Sequence, residues 1–251
     1  MTRTPLFPAA RPVKDRRTTG RGLLVTFRTG VDLSEWVPEP LHCVDPHVGV
    51  LMAWRMKTRY LGEAPESLDQ SQYQEVAISV LAGAPDHEPR HHNLLSLHSQ
   101  AWARRNLPLG PRTRHATIES TWTFPSGAAF DRDADWREFD IDASRLGSPI
   151  LRFRGSLGED VPRFDEAPYR GLIGVTYRDV PTNGRLPSAT VDEEVLKDVT
   201  IGRVTYGTGE LSFFASPDDR PLDEPLLREL GTVQVLGASL RDMAWTQAAP
   251  G

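Results

Sequence analysis

Residues 22–41 read GLLVTFRTGVDLSEWVPEPL. Leu23, Val25 and Phe27 alternate with Leu24, Thr26 and Arg28, which predicts a half-buried strand. Asp32 stands where a side-chain oxygen can cap a short helical turn over Leu33 to Val37, and Pro38 and Pro40 stop that turn. Working outward, residues 47–56 (HVGVLMAWRM) place Val48, Val50, Met52, Trp54 and Met56 on one face and Gly49, Leu51, Ala53 and Arg55 on the other. In residues 73–81 (YQEVAISVL), Val76, Ile78 and Val80 alternate with Glu75, Ala77 and Ser79, so one carboxylate sits among small side chains. That second face suits either a ligand cavity or plain solvent.

Further strands are expected at 116–124, 150–157, 172–177, 199–206 and 210–215, between Gly, Pro and Asp turns. Helical patterns are short: 225–230 and 237–245, the latter with Leu240, Met243 and Ala244 spaced for one face. Residues 1–20 carry prolines and charges and read as a flexible arm, followed by one strand-rich domain over 21–247. They include no apolar stretch of signal-peptide length, and no later segment has the length of a membrane-spanning helix, so a cytoplasmic protein is expected. The 29 Lys+Arg against 34 Asp+Glu leave a net charge of -5 without a basic block, which argues against nucleic acid as the partner. A lone cysteine, Cys43, excludes an internal disulfide and suits a reducing compartment.

The order of these pieces resembles the acetoacetate decarboxylase superfamily. The resemblance is carried by the opening strand with its Phe27-Arg28-Thr29 end, by Val37 to Leu41 (VPEPL), by Tyr73-Gln74-Glu75, and above all by the run 197–214, KDVTIGRVTYGTGELSFF. It implies a mostly β (α+β) fold: an antiparallel β-barrel with surrounding sheet, a few short helices and a pocket inside, assembled as a homo-oligomer. Decarboxylases of that superfamily attack the ketone of a β-keto acid with a buried lysine on a Gly-aromatic-Pro turn. The matching segment here is Leu109-Gly110-Pro111-Arg112-Thr113. A guanidinium at Arg112 stays protonated and cannot form a Schiff base.

The resemblance carries the pocket glutamate to Glu75, aligns a second acid with Leu51, and places a pocket arginine within one residue of Arg21. Glu75 and Arg112 are thus the expected catalytic pair, with Arg21, Trp54, Tyr73, His98 and Thr113 as substrate contacts. The chain contains three lysines, Lys14, Lys57 and Lys197, and Lys57 ends a strand as a solvated side chain rather than a displaced amine. Asp86, His87, Glu88, His91, His92 and His98 are dense in ligand atoms but fit no metal spacing, so a polar loop is the default, with no metal. No nucleotide or other cofactor is implied. The resulting expectation is an enzyme acting on a carbonyl-containing small molecule, such as a natural-product biosynthetic intermediate, by acid/base cyclisation, dehydration or aldol chemistry. A β-keto acid decarboxylase and a non-catalytic binding barrel are the alternatives.

Overall fold

The computed structural model describes residues 16–60, 72–84, 87–99, 113–120, 138–158, 177–182, 185–191, 196–216 and 223–247. The opening strand, β1 (Arg16–Arg28), starts inside the stretch read as an arm. Asp32 caps a 3₁₀ turn over Leu33–Trp36 as the sequence predicts, accepting from the Ser34 backbone N–H at 3.0 Å. A short β2 (His42–Cys43) leads into β3 (Val48–Tyr60) and β4 (Gln72–Ala84), both predicted and both longer than predicted.

Three expectations are corrected. The histidine-rich segment is not a polar loop but β5 (His87–His98), laid antiparallel along β4, with His91, His92 and His98 buried. The strands expected at 199–206 and 210–215 are one strand, β12 (Leu196–Phe213). Its Gly207 and Gly209 do not turn the chain: a Cβ at either would come within 2.4 Å of a carbonyl of the neighbouring strand β9 (Ser148–Leu157). The helix expected at 237–245 is part of β13 (Thr232–Gln247), which pairs with β1 on one side and β12 on the other. Pairing along both edges, near-continuous with β1 and interrupted with β12, outweighs a helical spacing that arose because β13 carries apolar residues on both faces. The helix expected at 225–230 is present as α1 (Asp223–Leu230).

The remaining strands are β6 (Thr113–His115), β7 (Thr117–Ser120), β8 (Glu138–Arg145) and a separate hairpin of β10 (Tyr177–Thr182) and β11 (Arg185–Val191). Of the expected strands 116–124 and 172–177, the parts beyond 120 and before 177 lie outside the described residues. The large sheet runs β6-β5-β4-β3-β1-β13-β12-β9-β8-β7, with β2 also on β4. It is mostly antiparallel, β5 with β6 being a parallel pair.

The described ladder does not close into a barrel, which corrects the closed form implied by the resemblance. Its two end strands, β6 and β7, are consecutive along the chain with only Ala116 between them, so they run on in line instead of pairing. That covalent link forces the sheet to curl until its edges meet. Ala116 N–H donates to the His98 carbonyl at 3.0 Å, and Ser120 Oγ lies 3.1 Å from Gln74 Oε1 on β4.

Alternation gives the sheet two apolar faces. Leu23, Val25 and Phe27 join Leu51, Val76, Ile78, Ile141, Phe153 and Phe213 in the main core, which α1 covers with Leu226, Leu227 and Leu230. Leu24, Val50, Met52, Trp54, Met56, Tyr73, Ala77 and Met243 form a second cluster on the other face. The Trp54 ring fills the space above Gly22, its nearest carbon 2.1 Å from where a Cβ would stand. Gly22→Ala is expected to destabilise the fold by about 1–3 kcal/mol, because the ring must leave its place. Urea denaturation measures this, and an unchanged midpoint would refute the contact.

Candidate functional site

Register places the candidate residues in one row across the sheet. Arg241 of β13 stands opposite Gly22 of β1, Gly22 opposite Trp54 of β3, Trp54 opposite Glu75 of β4, and Glu75 opposite His98 of β5. Directly opposed residues share a face, so the row lies on the side of the second cluster. Gly22 holds the middle open for the Trp54 indole, which meets Trp245 edge-on with centroids 6.1 Å apart.

Glu75 stands between Trp54 of β3 and His98 of β5. Its side chain retains 19% exposure, whereas His98 retains 2%, and His98 Nε2 lies 3.7 Å from Glu75 Oε1. Tyr73, two residues before Glu75 on the same face, stacks on the His98 ring at 6.1 Å and 25° and donates its hydroxyl to Met56 Sδ at 3.6 Å. The imidazole is thereby held between a carboxylate and an aromatic face. A partly exposed carboxylate in such a setting can both accept a proton and meet a ligand.

Sequence reading missed Arg241 and Ser239. Arg241 is 1% exposed, and its Nη2 donates to Ser239 Oγ at 2.5 Å, so the guanidinium runs along its own strand on the Glu75 face. The alternation Ser239, Arg241, Met243, Trp245 against Ala238, Leu240, Asp242 was the signal, hidden by the helical reading of the segment.

Of the expected site residues, the structure brings together Glu75, Trp54, Tyr73 and His98. Arg21 is not with them. It points to the opposite face and pairs with Asp242, Nε to Oδ1 at 2.7 Å and Nη2 to Oδ2 at 3.3 Å. Lys57, an odd number of residues from Trp54 along β3, also lies on that opposite face. The backbone of Thr113 pairs with Ser96 at the start of β6, while its side chain and all of Arg112 lie outside the described residues. So do Asp86 and the side chains of His87 and Glu88. Among the described residues no three ligand side chains converge as a metal site, and no described helix is long and apolar enough to cross a membrane.

Cys43, half-buried beside β4, is a poor nucleophile. Burial pushes its thiol up to about 12, and the negative charges of Asp32 and Asp45 act in the same sense. At pH 8 iodoacetamide is expected to alkylate Cys43 at least roughly tenfold more slowly than glutathione. Intact-mass time courses check this, and equal rates would contradict the buried placement.

No protein-family profile matches this sequence, and no curated protein matches it. Solved structures do. An enduracididine biosynthesis enzyme, MppR, complexed with the condensation product of pyruvate and imidazole 4-carboxaldehyde, is similar with a TM-score of 0.74 at 17% identity, covering 95% of this chain and 89% of that one. An acetoacetate decarboxylase-like enzyme from Sphingomonas wittichii RW1 is similar with a TM-score of 0.73 at 14% identity, covering 99% and 97%. Acetoacetate decarboxylase from Legionella pneumophila is similar with a TM-score of 0.64 at 14% identity, covering 99% and 90%. The fold is that of the acetoacetate decarboxylase-like proteins, with a mostly antiparallel sheet whose ladder, among the described residues, does not close.

Proposed function

We propose that this chain is an enzyme acting on a carbonyl-containing small molecule by acid/base chemistry, with Glu75 transferring the proton and no Schiff base. The observation that carries the reading is the pairing of a partly exposed Glu75 with the buried His98 at 3.7 Å on the sheet face that also holds Arg241. Lys57 is turned to the other face, and by the resemblance Arg112 stands in the sequence where the decarboxylases carry their amine.

The chemistry follows from these groups. The Glu75 carboxylate accepts a proton from the carbon next to a carbonyl, and the electron pair of the broken C–H bond moves into the enolate. That pair then forms a carbon–carbon bond to a second carbonyl, as in aldol addition or cyclisation, whose π electrons pass to its oxygen as an alkoxide that takes the proton back from Glu75; or it expels a β-hydroxyl, which leaves as water when Glu75 returns the proton. Arg241, on the same face but three strands away, adds a positive field at long range rather than a hydrogen bond to the enolate. The pyruvate condensation product bound by MppR supports a carbonyl substrate for this fold. The same reading includes a homo-oligomer, as the resemblance implies, and a cytoplasmic location, as expected from the sequence.

Decarboxylation of a β-keto acid is the second reading, favoured by the likeness to the Legionella decarboxylase. Two measurements separate the readings. Borohydride treatment with β-keto acids and diketones is expected to leave no reduced adduct on any lysine, and carbon dioxide release from acetoacetate is expected to stay at background. An adduct on Lys57 would instead establish amine catalysis. Glu75→Gln is expected to slow exchange of ketone α-hydrogens into deuterium oxide roughly 10²- to 10⁴-fold, followed by NMR. Wild-type rates in that variant would remove Glu75 from the mechanism.

A further inference from the structure

The proton-transfer reading uses one edge of the His98 ring, Nε2, which faces Glu75. Nδ1, on the other edge, is buried without a hydrogen-bond partner among the described residues. A buried polar nitrogen left unmatched has lost its water without a replacement, which disfavours the folded arrangement. The fold does not relieve this by turning the ring away, because Tyr73 stacks on its face and Glu75 flanks its far edge. Neutral imidazole presents either a donor or an acceptor at Nδ1, so a carbonyl or a hydroxyl oxygen fits it equally.

We infer that His98 Nδ1 is a substrate-recognition contact, which binds a second oxygen of the substrate, distinct from the carbonyl whose neighbouring carbon Glu75 deprotonates. This rests on the acid/base reading above. An oxygen bonded to Nδ1 sits about 2.9 Å beyond it, on the side of the ring turned away from Glu75. The two functions therefore belong to different carbons of one molecule, and the substrate class is a dicarbonyl or hydroxycarbonyl compound rather than a simple ketone. Sites built to pair a substrate oxygen discriminate strongly against analogues that lack it, because the protein group is then left unmatched.

The experiment compares heptane-2,6-dione with heptan-2-one as probes, reading α-hydrogen exchange by NMR and binding by tryptophan fluorescence. Wild-type protein is expected to exchange the dione with about 10- to 100-fold higher kcat/KM than the monoketone, after correction for its extra α-positions. His98→Leu is expected to bring the ratio to near one. His98→Asn, which keeps an N–H close to the Nδ1 position, is expected to restore part of it, and it serves if the leucine variant fails to fold. Equal exchange of both ketones by wild type, as when only a buried water occupies Nδ1, overturns the inference, as does a ratio unchanged in His98→Leu. If Glu75→Gln exchanges both ketones as fast as wild type, the acid/base reading itself has failed. If that variant is inactive while wild type does not discriminate, only the His98 assignment has.

Discussion

The pairing of β1 with both β3 and β13 is the constraint on which the rest depends. All thirteen residues of β1 are matched on the β3 side, and nearly as continuous a ladder runs on the β13 side, with one irregularity at Thr26/Phe27. It joins the N-terminal strands to the end of the chain. A slip of one residue in a strand moves every side chain to the other face. Here it would take Leu23, Val25 and Phe27 out of the main core and put Arg21 where Gly22 now admits the Trp54 ring.

This register also sorts the charges. On the main-core face Arg21 and Asp242 neutralise each other across the β1–β13 ladder, with Asp242 35% exposed, a geometry that lowers the cost of burying a guanidinium. On the other face Glu75 and Arg241 sit at the two ends of a four-strand row, about 14 Å apart by ordinary strand spacing, with the Trp54 indole between them. The separation keeps the carboxylate from being tied up by that arginine. It leaves Glu75 beside His98, a partner that can exchange a proton, whereas a guanidinium cannot.

An amine that attacks a ketone needs a free lone pair, and arginine at 112 has none to offer at any working pH. The sheet presents a glutamate beside a histidine, a buried arginine and an aromatic wall. Under the proposed acid/base reading these are the groups that act, and they are set on long, doubly paired strands. Such strands hold side-chain positions more tightly than loops do.

By itself the sequence determined the strands whose two faces differ. β1, β3 and β4 were legible because Leu23, Val25 and Phe27, or Val76, Ile78 and Val80, alternate with unlike neighbours, and Asp32 announced its turn by local capping chemistry. The place of Glu75 on one face of β4, as one acid among small residues, was legible for the same reason. Only the tertiary structure decided β13, whose Ala238 and Leu240 enter one core while Met243 enters the other, so that no single period stood out. It alone joined Arg21 to Asp242, 221 positions away, brought Arg241 onto the Glu75 face, and buried the histidines of β5. Periodicity records which way a side chain points relative to its own strand. Which strand lies alongside, and hence which charge meets which, is set by pairings between segments far apart in the chain.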